Sequence, residues 1–344
     1  MKLLLVGLDG LSFSAFEEYD MPFLQAMSEQ GVRAKHVTLG DPYTGTGPVG
    51  ASIQTGLPPA EHGVMERKVE TWQTLALKPN VKTIWRMLNE KGVRCGLVNF
   101  PLTYPMDPLE GFVVCGFPAP WEHKGAVNPW ANVDLGGPLF WPEEIGRHIG
   151  TFRSAWMYYV RPEEFADTHV PHRRAVAGDP EALRYMMAKL YRSLHETARL
   201  TFRLMREYPV DLLAAVLVEP DTIGHLGPAL GRDRRNAFLR EVDDTVREMF
   251  VEADPENMVV LSDHGCWVTH EREAVFLAAG PAFASGRGGS IDVLEVAPTI
   301  LYLWGAYEVR LPREPAHRFL ASGQVDESEK QKVSERLRAM GYSE

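Results

Sequence analysis

The chain has 344 residues, of which 45% are hydrophobic and 24% charged, a composition typical of a soluble globular protein. This length allows one large α/β domain or a core with an inserted segment. The formal net charge of −10 argues against binding to nucleic-acid polymers or anionic membranes, because such proteins present a basic surface.

The three cysteines, Cys95, Cys115 and Cys266, are too widely spaced for a disulfide framework or a cysteine-based zinc motif. The apolar run at residues 1–6 is too short for a signal peptide and lacks a small-residue cleavage site, so we interpret it as a first strand. The sequence shows no stretch long and apolar enough to span a membrane. These features together predict a cytoplasmic enzyme.

Short apolar runs alternate along the chain with segments in which apolar residues recur every three or four positions. The runs have the length and composition of strands buried on both faces of a parallel sheet. The periodic segments are predicted helices, of which 293–304 is apolar and 327–340 is polar. In chain order, the predicted strands are residues 2–8, 32–39, 93–100, 212–218, 257–261 and 275–279, and the predicted helices are residues 21–30, 81–90, 181–207, 232–250, 293–304 and 327–340.

Segments rich in Gly, Pro and Thr are predicted to be loops, namely residues 41–50, 57–63 and 219–228. Between the third and fourth predicted strands the periodicity is weak, and Pro, Gly and Trp are frequent. We interpret residues 101–179 as a small inserted cap or substrate region, and residues 1–100 and 180–344 as the catalytic core.

The alternation of helices and strands predicts an α/β fold, a doubly wound and mostly parallel sheet with helices on both faces and a small inserted cap. In such sheets, ligands bind beyond the carboxyl ends of the strands. Asp9, Asp221 and Asp263 each follow a predicted strand by one to three residues. Because parallel strands end at one edge of the sheet, we expect these three carboxylates to converge.

Imidazoles accompany two of these acidic residues. His225 follows Asp221 by four residues, His264 follows Asp263 directly, and His270 lies six residues further on. With Asp9, the set offers six oxygen and nitrogen ligands, which suffice for two divalent ions that leave room for a substrate. Three carboxylates would repel one another without metal, so the site is expected to be metal-dependent. Zn²⁺ is the expected ion and Mn²⁺ the alternative, since Asp and His bind both.

Two choices within the predicted site stay open at this point. Glu271 or His317 competes with His270 as the last ligand. The nucleophile is expected in the Gly/Thr loop, where small neighbours allow a phosphoryl group to approach the backbone, but spacing alone does not choose among the hydroxyls. The candidate hydroxyls are those of Thr44, Thr46, Ser52 and Thr55.

Five blocks of the sequence resemble, in order, the type I phosphodiesterase/nucleotide pyrophosphatase branch of the alkaline phosphatase superfamily. A single block would be a weak signal, whereas all five in the same order are a strong one. The blocks are Val6-Gly7-Leu8-Asp9-Gly10, then Thr46-Gly47-Pro48 with Thr55-Gly56 and His62-Gly63, then Glu219-Pro220-Asp221 with Gly224-His225, then Ser262-Asp263-His264-Gly265, and finally His270 ahead of Ala279-Gly280-Pro281.

The resemblance implies an alkaline phosphatase-like fold with two metal sites. One site would hold its ion through an aspartate and two histidines, and the other through two aspartates and a histidine, with a threonine beside it. The implied first site is Asp221, His225 and His270, and the implied second site is Asp9, Asp263 and His264 with Thr46.

Thr46 matches the nucleophile of the family because it lies nine residues before Thr55. The implied reaction is hydrolysis of a phosphodiester or nucleotide pyrophosphate bond by in-line attack of a metal-activated Thr46, with a phosphothreonine intermediate. A phosphomonoesterase or phosphonate hydrolase of the same superfamily is the alternative activity. A sulfatase is disfavoured, because the loop lacks the cysteine that is converted to formylglycine.

The expected partner is a small phosphate ester or nucleotide, and the sequence does not indicate an oligomeric state. Gly47, Phe100 and Tyr104 are the predicted substrate-binding residues. Val49 and Gly50 depart from the Asn and Trp that many relatives carry at these positions, which changes the expected substrate pocket.

Overall fold

The computed structural model describes residues 1–65, 77–104, 106–116, 138–149, 170–306 and 311–321. Within them, nine strands form one sheet and two further strands form a separate hairpin. The strands are β1 (Leu3–Leu8), β2 (Val32–Val37), β3 (Cys95–Phe100), β4 (Gly111–Cys115), β5 (Phe140–Trp141), β6 (Leu212–Leu217), β7 (Asn257–Leu261), β8 (Gly265–Trp267), β9 (Thr269–Glu271), β10 (Glu273–Ala279) and β11 (Arg287–Asp292). The α-helices are α1 (Phe13–Glu18), α2 (Pro22–Gln30), α3 (Thr46–Thr55), α4 (Pro59–His62), α5 (Ile84–Asn89), α6 (Gly146–Ile149), α7 (Val170–Val176), α8 (Pro180–Glu207), α9 (Glu219–Leu226), α10 (Arg232–Ala253) and α11 (Val293–Tyr302).

The large sheet has the strand order β11-β2-β10-β7-β1-β6-β3-β4-β5. At its centre, β1 pairs in parallel with β6 on one side and β7 on the other. The parallel run continues through β3 and β4. Within the described sheet, β10 and the two-residue β5 run against their neighbours. The predicted α/β fold with a mostly parallel sheet is therefore confirmed.

The central strands are buried along their whole length, which explains why their sequences are continuously apolar. Every residue of β1 and β6 is buried. Helices cover the sheet in two groups: α2, α8 and α10 pack together, and α3, α5 and α11 pack together. A strand covered on both faces needs apolar side chains in both directions, so its sequence does not alternate.

The long helices begin where the sequence supplies a cap. The Asp179 side chain accepts the backbone N–H groups of Glu181 and Ala182 at the start of α8. Asp292 and Glu295 form a reciprocal capping box at the start of α11. In the described part of the chain, no helix combines the length and the apolar character that crossing a membrane requires.

Three stretches that are predicted to be loops contain helix instead. Residues 46–50 lie within α3, residues 59–62 form the single turn α4, and residues 219–226 form α9. These stretches contain glycine and proline, which lower the intrinsic helix propensity. Pro48 and Pro220 lie in the first turn, however, where a missing N–H costs no intrahelical bond. All ten residues of α3 are buried, and this packing outweighs the propensity.

The range predicted as an inserted cap supplies two strands to the main sheet. β4 pairs with β3, and β5 pairs with β4 at the sheet edge. Residues 117–137 and 150–169 lie outside the described residues, and their assignment to a cap stays a prediction. The predicted C-terminal helix at 327–340 also lies outside the described residues.

Candidate metal centre

Three adjacent strands bring the predicted acidic residues to one edge of the sheet. Asp9 follows β1 directly, Asp263 lies two residues beyond β7, and Asp221 lies in the first turn of α9 after β6. The carboxylates are nearly inaccessible, with exposed fractions of 2% for Asp9, 7% for Asp263 and 7% for Asp221. Residues that are more than two hundred positions apart in sequence thus meet because β7, β1 and β6 are neighbours in the sheet.

Asp221, His225 and His270 form a first group, here called site A. The Nε2 atoms of His225 and His270 lie 3.2 Å apart. Asp221 Oδ2 lies 3.4 Å from His225 Nε2, and Asp221 Oδ1 lies 3.6 Å from His270 Nε2. Two ligands that each lie about 2.0–2.1 Å from a tetrahedral zinc ion are about 3.4 Å apart. The spacing of site A therefore fits one such ion.

Asp9, Asp263 and His264 form a second group, here called site B. His264 Nε2 lies 3.4 Å from Asp263 Oδ2 and 3.6 Å from Asp9 Oδ1. The Thr46 hydroxyl lies 3.3 Å from the same nitrogen, so the first residue of α3 borders site B. The structure places the predicted nucleophile beside the group to which the resemblance assigns it.

Backbone carbonyls orient all three imidazoles. In each ring, Nδ1 donates to a carbonyl oxygen, and this fixes the tautomer that directs the Nε2 lone pair into the ligand group. Metal-binding histidines are commonly held in this way. The bonds join His225 to Val268 O at 3.0 Å, His270 to Thr44 O at 3.1 Å and His264 to Gly265 O at 3.2 Å.

Sites A and B are in direct contact. The rings of His264 and His270 stack with their centroids 3.9 Å apart. Gly10, which has a φ of +71°, lies between the two groups: its N–H donates to Asp263 Oδ1 at 3.3 Å, and a Cβ at this position would lie 2.4 Å from Asp221 Cα. Only glycine combines this left-handed conformation with such a close approach.

Without metal, the carboxylates of Asp9, Asp221 and Asp263 lie in an electrostatically unfavourable environment. Both oxygens of Asp9, Oδ1 of Asp221 and Oδ2 of Asp263 are buried and have no hydrogen-bond donor among the described residues. Burial, and then the charges of Asp263 and Asp221, raise the pKa of Asp9 well above its usual value. Burial acts in the same direction on Asp221, but the imidazoles of His225, His264 and His270 outweigh it and lower the pKa of that carboxyl.

Divalent cations would satisfy these oxygens. A buried acceptor without a donor costs free energy, and so do like charges at close range. Metal ions in sites A and B would remove both costs, because they are the largest local positive charges a protein site can hold. The donor set therefore fits a pair of divalent ions on the evidence of its own geometry.

The structure distinguishes among the candidate hydroxyls. Thr44 donates its hydroxyl to Leu39 O at 2.7 Å, and Thr55 donates its own to Ala51 O at 2.6 Å. The Ser52 hydroxyl lies 3.1 Å from His62 Nε2, away from either site. Thr46 is the candidate whose hydroxyl contacts a ligand group.

Among the alternatives for the last ligand, His270 is the residue that lies in site A. His317 packs against Tyr302 instead, with ring centroids 5.1 Å apart. Glu271 follows His270 on β9, where it pairs with Gly265, so its side chain lies on the opposite face of the hairpin.

The three predicted substrate-binding residues lie in different surroundings. Gly47 follows Thr46 in the first turn of α3. Phe100 is buried edge-on against Trp85, with ring centroids 4.9 Å apart. Tyr104 is also buried, and it lines a cavity of about 490 Å³ together with Gln54 and Trp85. Their roles in substrate binding stay predictions.

The mostly parallel sheet, with two ligand groups at its carboxyl edge, has an alkaline phosphatase-like fold. The family model of type I phosphodiesterase/nucleotide pyrophosphatase matches residues 3–339. The chain therefore belongs to this family.

Individual relatives are distant. Human ectonucleotide pyrophosphatase/phosphodiesterase family member 7 is 24% identical over 79% of this chain and 49% of that protein, so the chain spans about half the length of this curated relative. Among solved structures, an inactive murine ectonucleotide pyrophosphatase/phosphodiesterase 5 in complex with AMP superimposes with a TM-score of 0.58 at 12% identity, covering 93% of this chain and all of that one. A phosphonate monoester hydrolase from Silicibacter pomeroyi has a TM-score of 0.50 at 14% identity, covering 92% of this chain and 76% of that one. At these identities the solved structures show a shared fold.

Proposed function

We propose that the chain is a metal-dependent hydrolase of phosphate esters, acting on phosphodiester or nucleotide pyrophosphate bonds with Thr46 as the nucleophile. The observation that carries the proposal is the position of the Thr46 hydroxyl, 3.3 Å from His264 Nε2 at the border of two adjoining ligand groups. Family membership supports the reaction class. The AMP bound to the murine relative supports a nucleotide-like substrate.

Sites A and B are proposed to hold one divalent cation each, with Zn²⁺ preferred to Mn²⁺ because three of the six ligands are imidazoles. Bound divalent cations supply Lewis-acid chemistry, lowering the pKa of a nucleophilic hydroxyl and neutralising charge on phosphoryl oxygens. Asp221, His225 and His270 would hold one ion, and Asp9, Asp263 and His264 the other.

The N-terminus of α3 is suited to an anionic phosphoryl group. The helix has ten residues and no side-chain N-cap, so the N–H groups that it can offer at this end are those of Thr46 and Gly47, since Pro48 has none. The helix dipole favours negative charge at this end. Gly47, next to the nucleophile, presents no side chain that would hold the phosphoryl oxygens away from the backbone.

In the first step, a bond forms between Thr46 Oγ1 and phosphorus while the bond from phosphorus to the leaving-group oxygen breaks on the opposite side. The hydroxyl proton passes to solvent, and the leaving alkoxide takes up a proton. In the second step, water attacks the phosphothreonine, the bond from phosphorus to Oγ1 breaks, and Thr46 regains its proton. From a phosphodiester, the products are an alcohol and a phosphate monoester; from a nucleotide pyrophosphate bond, the leaving group is a phosphate in place of the alkoxide, and both products are phosphates.

Replacing Thr46 tests this assignment. Thr46→Ala is expected to lower the hydrolysis of bis-p-nitrophenyl phosphate by roughly 10³-fold or more, since the covalent route is lost. Thr55→Ala is the matched control, because it removes a threonine hydroxyl from the other end of the same helix. The metal content of both variants, measured by elemental analysis, should equal that of the wild type. Unchanged hydrolysis by Thr46→Ala would exclude Thr46 from the chemistry.

The choice of substrate distinguishes the proposed activity from its alternative. A diesterase hydrolyses bis-p-nitrophenyl phosphate faster than p-nitrophenyl phosphate, and a phosphomonoesterase shows the reverse order. Measuring kcat/KM for both compounds with the Zn²⁺-loaded and Mn²⁺-loaded protein separates reaction class from metal preference. Faster turnover of the monoester with both metals would replace the proposed diesterase by the monoesterase.

A further inference from the structure

The thiol of Cys266 lies within the ligand group of site A. One ligand atom each of Asp221, His225, His270 and Cys266 can be chosen so that all four lie within 4.8 Å of one another. The side chain is buried, with an exposed fraction of 4%. Site A therefore presents four potential ligands, whereas site B presents three and a hydroxyl.

The hairpin of β8 and β9 places this sulfur beside an imidazole. Cys266 is paired directly with His270 across the hairpin, with Gly265 opposite Glu271 and Trp267 opposite Thr269. Residues directly opposite each other in an antiparallel pair project to the same face and contact each other. The register that brings His270 into site A therefore brings Cys266 with it.

A glycine on α9 leaves the space that the sulfur occupies. Gly224 follows Asp221 by three residues on α9, so the two lie on the same face of the helix. A Cβ at Gly224 would lie 2.5 Å from Cys266 O and 2.8 Å from Cys266 Sγ. Glycine inside a helix costs about 1 kcal/mol relative to alanine. The close contact with Cys266 explains why α9 has glycine at position 224 in spite of this cost.

We propose that Cys266 is a fourth ligand of the metal ion in site A. The inference rests on the proposed function, since it requires that site A binds an ion. The S–H proton would leave to solvent as the sulfur binds. A Cys/His₂/Asp site favours Zn²⁺ over Mn²⁺, because thiolate is a soft ligand, while the Asp₂/His site B accepts both ions. Zinc also accepts a fifth ligand, so four protein ligands leave room for a phosphoryl oxygen.

The chain supplies its own matched control for a cysteine replacement. Cys115 is also a buried thiol, and its Sγ donates to Thr103 O at 3.2 Å, outside both ligand groups. A serine at position 115 can keep the donation to that carbonyl. Comparing Cys266→Ser with Cys115→Ser therefore separates the loss of a metal ligand from the general effect of losing a buried thiol.

X-ray absorption at the zinc edge tests the proposal directly. The zinc-loaded wild type and Cys115→Ser are expected to show a sulfur scatterer at about 2.3 Å from zinc. Cys266→Ser and Cys266→Ala are expected to show only nitrogen and oxygen scatterers. Zinc affinity of one of the two sites should fall by about 100-fold or more in the Cys266 variants, since even changes beyond the direct ligands cost 10–100-fold. Their Mn²⁺ affinity should be nearly unchanged.

The possible outcomes are distinct. A zinc-loaded wild type with two bound ions and only nitrogen and oxygen neighbours overturns the role of Cys266 and leaves the proposed metal-dependent hydrolase standing. A wild type that binds no zinc overturns both. If the Cys266 variants do not fold, the presence or absence of a sulfur scatterer in the wild-type zinc spectrum tests the proposal without them. The sulfur-to-metal charge-transfer absorption of the Co²⁺-substituted wild type is a second measurement of the same bond.

Discussion

At the scale of single residues, hydrogen bonds to backbone carbonyls orient the three imidazole rings so that Nε2 points into the ligand groups. His225, His264 and His270 each donate Nδ1–H to a main-chain oxygen, so the orientation of the rings is a property of the fold rather than of the metal. The chain thus holds these ligands in place before any ion binds. Residue identity and chain position sufficed to predict these three histidines, whereas the bonds that orient them depend on tertiary structure.

Cys266 shows the limit of prediction at this scale. In the sequence it is one of three isolated cysteines, and isolated cysteines are usually buried apolar residues. Its membership of site A follows from the hairpin register and from the missing side chain at Gly224. Neither is visible in local sequence spacing, because both depend on how β8 and α9 pack together.

His62 is a buried histidine outside the metal centre, and it is expected to make stability pH-dependent. Burial, together with the nearby charge of Lys78, lowers the pKa of His62 to about 4. Its Nδ1 accepts the Val64 N–H, and its Nε2 lies 3.1 Å from the Ser52 hydroxyl, so the folded state holds the neutral ring. The unfolded chain binds this proton near pH 6.5. Stability is therefore lost as pH falls through the window from about 6.5 to 4, by roughly 2 kcal/mol between pH 7 and pH 4.5.

Urea unfolding of the metal-free wild type and of His62→Gln at these two pH values measures this contribution. Other groups titrate in both proteins, so the difference between their pH dependences isolates His62. The wild type should lose more stability than the variant on acidification. Equal losses would show that His62 does not carry a depressed pKa in the folded state.

At the scale of secondary structure, α3 and α9 supply Thr46, Asp221 and His225, and the sequence predicts both helices incorrectly as loops. Their glycines and prolines are typical of loops, yet each helix starts at the carboxyl edge of the sheet and is stabilised by burial. The long amphipathic helices and the apolar strands were predicted correctly, because their patterns repeat over many residues. Functional elements here break the local pattern because they need small residues near the ions and the substrate.

Gly10 is the turn residue on which both ligand groups depend. Gly10→Ala is expected to cost about 3 kcal/mol of stability and to abolish metal binding at both sites, because a Cβ would meet the backbone of Asp221 at 2.4 Å. Gly92→Ala is the matched control: Gly92 has a φ of +79° but no atom within 4 Å of the added carbon. It should cost about 1 kcal/mol and leave metal binding intact.

Urea unfolding and metal analysis of these two glycine variants make the comparison. If Gly10→Ala and Gly92→Ala behave alike, left-handed backbone strain accounts for the whole effect. In that case the close contact with Asp221 does not organise the site.

At the scale of the whole molecule, the sequence predicts the central sheet and the edge at which the acidic residues meet, and it does not predict the borders of the sheet. β10 runs antiparallel between β7 and β2, and β11 is an exposed edge strand with a weak apolar pattern. β4 and β5 extend the opposite border from within the predicted cap. Strand direction and edge pairing depend on contacts distant in sequence, whereas the buried centre is marked by continuous apolar runs.

Metal removal should destabilise the entire protein, because the uncompensated carboxylates lie at the centre of the sheet edge. Ions at 100 times their Kd in two sites would contribute about 5 kcal/mol, which for a chain of this length corresponds to a rise in Tm of about 7 °C. Asp9→Asn is expected to raise the Tm of the metal-free protein, since it removes a carboxyl group whose ionisation is opposed by burial and by the charges of Asp263 and Asp221. The same change should lower the increment that metal adds. Differential scanning calorimetry with chelator and with excess Zn²⁺ measures both quantities. Two results would contradict this view that the carboxylates are kept for metal binding although they destabilise the metal-free protein. One is a wild-type Tm that is the same with chelator and with Zn²⁺. The other is an Asp9→Asn variant that is less stable than the wild type in chelator.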